Sequence, residues 1–388
     1  MSFYKVISNE ILKKFNPKKL KLHEPFFSKT EIDYVVKCIK SGHVSSSDKG
    51  HYIKKLQNQV KQFTNSKYAV CTINGVSGIH ASLLALNVQK NEEVLVPSLT
   101  FVASVHPILY LGAVPHFVDV EKDNLGICPK RLELYLKKIT YKKGRSLVNK
   151  KTKRKITAII AVHVFGNPCK IKEIKLVAKK YNLKLVEDST EALGSYYKKK
   201  HVGTFGDTGI FSFNGNKIIT SGGGGVVVTD NKKIFKKISL LISNSKEPHK
   251  WEYIHNQTGY NYRMPNLNAA LASAQFTKLK EILKSKVKIF KIYKKMFSRY
   301  REIKLLTIHE RFQSNNWLNT LIIKDTKLKK NNFIKYLHKK KIYVRPAWKP
   351  LHTLKHLKKF PKMSLKTTDK IYRSSISLPS GPGILKSN

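Results

Sequence analysis

Gly209 to Gly224 reads GIFSFNGNKIITSGGG, and earlier in the chain Leu183 to Glu191 reads LKLVEDSTE. In the first stretch one lysine, Lys217, stands between an aromatic run (Phe211, Ser212, Phe213) and four consecutive glycines, Gly222 to Gly225. In the second, an apolar run ends on the acids Glu187 and Asp188. Both apolar runs have strand length and both are stopped by turn residues, which predicts strands over 183–187 and 208–213 with reactive residues at their ends. The same pattern repeats on either side. Strands are expected at 67–73, 94–97, 114–120, 156–164 and 225–229, and helices at 30–40 (Thr30 as its cap), 79–86, 101–111 and 171–180. Near-continuous apolar strands alternating with helices imply a buried, mostly parallel sheet in an α/β fold. The lysine-rich stretch 137–155 reads as a solvated surface loop. After about residue 265 the pattern changes to one long helix over 266–300 and then short mixed elements at 320–323, 332–339 and 342–344. The expected division is a large α/β domain over 29–260 and a smaller C-terminal α+β domain over 261–388, with 1–28 packing on the latter.

The chain has 388 residues, a formal charge of +51 and an apolar fraction of 41%, so it is a folded protein and not a disordered basic tail. Its basic residues are 66 lysines and only nine arginines, scattered among Asn and Ile. A nucleic-acid binder concentrates arginine and aromatics in a stripe. Neither nucleic acid nor a membrane is the expected partner, although such a field attracts an anionic nucleotide substrate. Cys38, Cys71, Cys128 and Cys169 have no zinc-knuckle or CxxC spacing, and no HExxH motif is present, so free thiols and no metal are expected. The N-terminus lacks the apolar core of a signal peptide, and no apolar run reaches the length of a membrane helix. The expected compartment is the cytoplasm.

An acid at a strand end, followed by a serine and a lysine a few residues apart, is the set that pyridoxal 5'-phosphate (PLP) requires. Asp188 can hold the pyridinium nitrogen, Ser212 the phosphate, and Lys217 can form the Schiff base. Each residue has a plainer reading beside this one. Lys217 alone is a loop lysine, and Asp188 alone is a helix cap. Gly75-Val76-Ser77 lies between a strand and a helix, where backbone N–H groups bind phosphate, or where the chain simply turns. Phe101 either stacks on a ring or belongs to the core. His163, at the end of a strand, either touches cofactor or substrate or is a satisfied buried histidine.

Taken together, VPSLTFVAS, AVHVFGNP, VEDSTEALGSYYKKKHVGTFGD, FSFNGNKIITSGGGG and GYNYRMPNLNAA resemble, in order, the DegT-type family of PLP-dependent sugar-nucleotide aminotransferases, over about Pro25 to Pro379. The resemblance implies PLP-dependent transferase fold type I, like aspartate aminotransferase, with a mostly parallel central sheet. It implies Lys217 as Schiff-base lysine and proton shuttle, Asp188 on the pyridine nitrogen, and Ser212 with the backbone of Gly75, Val76 and Ser77 on the phosphate. Phe101 would stack on the ring and Glu191 would sit near its hydroxyl, where the wider family has Gln or His. Arg263 would reach the neighbouring subunit's site, so a homodimer with shared active sites is implied. KEPHKWEYIHNQTGYNYRMPNLNAALASAQ and VRPAWKPLH resemble the subgroup of legionaminic acid-type nonulosonate pathways. That subgroup aminates a UDP- or GDP-linked 2-acetamido-2,6-dideoxy-4-ketohexose at C4 with glutamate as donor. Arg345 and Trp348 would then line the sugar-nucleotide site. Other sugar-nucleotide aminotransferases, of perosamine or bacillosamine type, and a non-catalytic basic binding protein are the alternatives. Val76 departs from the threonine that often adds a hydroxyl to the phosphate. PLP-dependent 3-dehydratases on this fold carry histidine at the lysine position, which Lys217 disfavours.

Overall fold

The computed structural model of the chain describes residues 3–45, 50–325 and 327–386. Nine strands form the main sheet: β1 (Tyr68–Thr72), β2 (Glu93–Pro97), β3 (Val114–Val118), β4 (Thr140–Lys143), β5 (Ser146–Asn149), β6 (Lys155–Val162), β7 (Lys184–Asp188), β8 (Thr208–Ser212) and β9 (Gly225–Thr229). Their order is β1-β9-β8-β7-β6-β2-β3, with the β4–β5 hairpin attached to β6. From β8 to β3 all neighbours are parallel, whereas β9 runs antiparallel to both β8 and β1.

Strand periodicity explains why the sheet is buried on both faces. In β6, Ala158, Ile160 and Val162 enter one apolar cluster and Ile159 and Ala161 the other; in β2, Val94 and Val96 oppose Leu95. Each Val, Leu or Ile among these contributes about 1.5–3 kcal/mol on burial, so a register slip that exchanged the faces would gain nothing and lose the paired ends. Those ends matter here. Val162 on β6 and Ile210 on β8 are both register partners of Asp188 on β7, so β6 and β7 end level with one another and β8 runs two residues further to Ser212 at the same edge. Open parallel sheets bind ligands at that edge.

A third cluster joins Ile7, Ile11 and Phe15 of the helix Phe3–Lys14 to Ile289, Tyr293 and Phe297 of the helix Leu279–Phe297. It also takes Leu321 and Ile376 from a four-stranded antiparallel sheet ordered Ile303–Leu305, Thr320–Ile323, Ser375–Ser377, Arg345–Pro346. Among the described residues no helix is long and apolar enough to cross a membrane.

Several local expectations are corrected. The stretch 137–155 is not a loop: the helix Pro129–Ile139 runs directly into the β4–β5 hairpin, which turns at Gly144 (φ 58°) and places Leu147 and Val148 in the core. Lysines on the solvent side of this edge hairpin hid the alternation. The expected helix over 101–111 is a 3₁₀ turn, Val102–Ser104, followed by the short helix His106–Tyr110. The single helix over 266–300 is two, Asn266–Thr277 and Leu279–Phe297, because the chain leaves helical geometry at Lys278 (φ −99°, ψ 0°).

Lys278 has a partner that accounts for its position. The helix Lys29–Lys40 is capped by Ser28, not Thr30: the Ser28 hydroxyl accepts from Thr30 N–H, and the Glu31 carboxylate accepts from Ser28 N–H (2.8 Å). Glu31 is almost fully buried and also accepts from Lys278 Nζ (2.9 Å) and Gln275 Nε2 (2.8 Å). Burial by itself pushes this carboxyl up, but Lys278, Ser28 and Gln275 outweigh it and bring it down to about 2. Removing the carboxylate from such a site costs about 3 kcal/mol. Glu31→Ala is therefore expected to lower the unfolding free energy by about that amount at pH 7, measured by urea denaturation. Because the folded carboxyl titrates below its ordinary value, its contribution is complete above about pH 4.5 and is lost as pH falls toward 2. The gap between wild type and Glu31→Ala should close over that window and stay constant above it.

Candidate active site

Glu187 and Asp188 are adjacent acids at the end of β7, and the strand aims them at opposite faces. Glu187 is buried on one side, where it accepts from the N–H groups of Gly203 (2.8 Å), Phe205 (2.5 Å) and Gly206 (2.7 Å). Burial pushes this carboxyl up, yet His163 and the backbone N–H groups together hold it below its ordinary value. Asp188 is buried on the other side. Its Oδ2 accepts from the Ser104 hydroxyl (2.6 Å), itself 2.8 Å from Thr100 Oγ1, and its Oδ1 accepts from Thr190 N–H (3.2 Å). A carboxylate fastened in this way keeps its direction.

Asp188 opens onto a cavity of about 360 Å³. One wall is the start of the helix Gly75–Ala85, contributing Gly75 and Val76, with Ser212 beside them. Asn74 caps that helix, its side chain accepting from Ser77 N–H (2.8 Å). The first N–H groups of a helix have no partner within it, so those of Gly75 and Val76 are the ones suited to an anion. A Cβ on Gly75 would lie 3.0 Å from Thr190 Cγ2 and 3.4 Å from Ser212 Cβ, so a side chain there would crowd this wall of the cavity. Phe101 lines another side and is half exposed, and Val162, at the end of β6, lines the cavity as well. Trp317 and Trp348 complete the enclosure, with Trp348 packed on Phe165 at 4.6 Å between ring centroids.

Lys217 enters from the turn after β8. Its Nζ lies 3.3 Å from Glu191 Oε1 and 4.3 Å from the centre of the Trp317 ring. The other oxygen of Glu191 accepts from Phe165 N–H (2.9 Å). Burial pushes the Glu191 carboxyl up; Lys217 opposes this, Asp188 adds to it, and the result is about 7. Glu191 is thus poised to hold or release a proton near neutrality.

The expected residues divide cleanly. Lys217, Asp188, Glu191, Ser212, Gly75, Val76, Phe101 and Trp348 line one cavity. Ser77 lies beside it with its N–H committed to Asn74. His163 is corrected: it is fully buried on the far face, its Nδ1 accepts from Cys169 N–H (3.2 Å), and its Nε2 donates to Glu187 (3.1 Å). The alternation that brings Val162 into the cavity turns His163 away from it. Arg345 sits exposed on the edge strand Arg345–Pro346 and does not line the cavity. Arg263 bridges to Thr72 and lines separate hollows with Phe235 and Ser239. Ser104 and Trp317 were missed. Ser104 was signalled by a hydroxyl run next to an aromatic (Thr100, Phe101, Ser104), and Trp317 by a lone tryptophan in the polar segment Asn315-Asn316-Trp317. Among the described residues no group of three or more His, Cys, Asp or Glu side chains could hold a metal ion.

The residues fit PLP. A helix N-terminus with a hydroxyl suits its phosphate, a fixed buried carboxylate its ring nitrogen, and an enclosed amine its aldehyde carbon.

Residues 26–388 match the DegT/DnrJ/EryC1/StrS aminotransferase family. The chain is similar to GDP-perosamine synthase of Escherichia coli O157:H7, 34% identical over 371 residues covering 95% of this chain and 94% of that one. It is similar also to GDP-perosamine synthase of Vibrio cholerae, 33% identical over 372 residues and 94% of each chain. Among solved structures it resembles Helicobacter pylori PseC, an aminotransferase involved in the biosynthesis of pseudoaminic acid, with TM-score 0.83, 23% identity and 93% of each chain covered. That likeness establishes the fold.

Gly75→Val tests the cradle. The branched side chain presses on Thr190 and Ser212, and overpacking of this kind costs about 1–3 kcal/mol. Affinity for PLP, read from its visible absorbance on the full-length protein, should fall about tenfold or more, and the melting temperature should fall by about a few degrees because the same crowding costs the fold. Unchanged affinity would place the phosphate elsewhere.

Proposed function

The chain belongs to the DegT/DnrJ/EryC1/StrS aminotransferase family, whose members are PLP-dependent sugar transaminases, and on that premise we propose that it aminates C4 of a nucleotide-linked 4-keto-6-deoxyhexose with glutamate as donor. The observation that carries the reading is the enclosure of Lys217 and Asp188 in one cavity with a helix N-terminus. Of the candidate sugars, a GDP-linked ketohexose of the perosamine type is favoured by the two GDP-perosamine synthases, which match across nearly the whole chain. The 2-acetamido sugars of nonulosonate pathways are supported by sequence motifs alone.

PLP, when bound, supplies an electron sink that makes the C–H beside the reacting nitrogen acidic. In this reading each residue has one task. Gly75, Val76 and Ser212 anchor the phosphate. Asp188, fixed by Ser104 and Thr190, keeps the ring nitrogen protonated. Phe101 and Val162 cover the ring and exclude water. Lys217 carries the proton to and from the sugar carbon, and the Glu191 carboxylate pairs with its ammonium form between steps.

A homodimer is part of the proposal. Ile32, Val36 and Ile39 form a row at helical spacing on the helix Lys29–Lys40, each at least 41% exposed, and Phe26 and Phe27 extend it. An apolar strip of this kind suits a second copy of the chain, which would also bring Arg263 to the partner's cavity.

The test is an absorption spectrum of the PLP-loaded protein before and after glutamate, followed by parallel additions of GDP-linked and UDP-linked 4-ketohexoses. Glutamate should remove the visible band, and the GDP-linked sugar should restore it faster than the UDP-linked one. Lys217→Ala should lack the starting band and the turnover. A band that glutamate leaves untouched would rule out glutamate as donor, and recovery only with the UDP-linked acetamido sugar would favour the nonulosonate reading.

A further inference from the structure

Trp317 is held more firmly than a wall of the cavity needs. It is buried, its indole N–H donates to the carbonyl of Asn216 (2.7 Å), and Asn216 is the residue before Lys217. Its backbone N–H donates to Asn315 Oδ1 (2.9 Å), and its carbonyl accepts from Lys286 Nζ (2.7 Å). Asn315 in turn donates to the carbonyls of Glu191 (2.8 Å) and Leu193 (2.9 Å). Lys286 is fully buried and donates to the Ser380 carbonyl as well. The ring, the lysine and the carboxylate are therefore tied to one another by neighbouring backbone. At the centre of this arrangement Lys217 Nζ stands 4.3 Å above the indole face.

We propose that Trp317 is a positioning residue for Lys217: its indole face holds the protonated form of the free ε-amino group in place beside Glu191, between the steps in which the amine takes a proton from carbon and returns it. The inference rests on the transaminase reading. An aromatic face attracts a cation through its quadrupole, most strongly for tryptophan and more so when the pair is desolvated. A carboxylate that attracts the ammonium can also take its proton, whereas a ring cannot. Glu191 titrates near neutrality, so its attraction varies with pH in the working range while that of the indole does not.

The other charged and titratable groups around this pair are few. Asp188 shares the cavity with Lys217 and Glu191. His23 packs against the Trp317 ring (6.5 Å between centroids), and burial, followed by the charges of Lys286 and Lys217, keeps it well below the usual histidine range, so it adds no positive charge. Lys286 lies against the Trp317 carbonyl.

The role is read from the pH dependence of PLP capture by the full-length cofactor-free protein, followed by visible absorbance. Capture needs the neutral amine. Replacing the indole in Trp317→Leu removes the cation's partner and should move the capture midpoint down by up to about one pH unit, a tenfold change in the ammonium–amine balance. Turnover with glutamate should show a fall in kcat with a smaller change in KM. Trp317→Phe keeps a packed ring with a weaker face and should shift the midpoint less, in the same direction; it carries the test if the leucine variant does not fold. Equal midpoints in wild type and variants, with normal capture, would overturn the role of Trp317 and leave the transaminase reading intact. A wild type that captures no PLP would overturn that reading itself.

Discussion

Asp188, Glu191 and Lys217 place two acids and one amine in a cavity largely closed to water, and burying charge is costly unless each group is paired and hydrogen-bonded. Much of the surrounding architecture meets that requirement. Asp188 is held by a hydroxyl from the segment after β2 and by an N–H from its own turn. Glu191 is held by Phe165 N–H, donated from a residue in the left-handed region (φ 57°), a conformation that bulky side chains rarely adopt. Lys217 is shared between Glu191 and the Trp317 ring. The parallel register of β6, β7 and β8 brings these supports to one edge, which is why a sheet that is apolar on both faces is the proper frame for a charged site.

The sheet and much of the cavity were legible in the amino-acid sequence because their signals are local. The strands read as uninterrupted apolar runs, and Lys217, Asp188 and Ser212 lie at strand ends whose positions follow from those runs. What escaped depends on partners distant in sequence. Trp317 is separated from Lys217 by a hundred residues of chain, and nothing near it announces a contact with Asn216. The break at Lys278 has no glycine or proline to mark it and is explained only by the buried Glu31 that its side chain reaches. The hairpin over 140–149 was hidden by its lysines. For His163 the sequence left two readings open, and the structure has the plainer one: the ring is fully committed to Glu187 and the Cys169 N–H.

The formal charge of +51 comes mainly from lysine. It is spread over the surface as lysine, while the cavity itself contains one lysine and two acids. Under the proposed function, the field of the surface draws an anionic nucleotide toward the molecule, and selection among sugars falls to groups lining the cavity, Phe101 and Trp348 among them.

In the proposed function one lysine among 66, Lys217, is the reactive one. Reduction of the PLP-loaded protein with sodium borohydride, followed by proteolysis and peptide mass analysis, tests it directly. The account predicts a single phosphopyridoxyl-modified peptide carrying the label on Lys217. A label spread over exposed surface lysines, or concentrated on a different buried lysine such as Lys286, would contradict it.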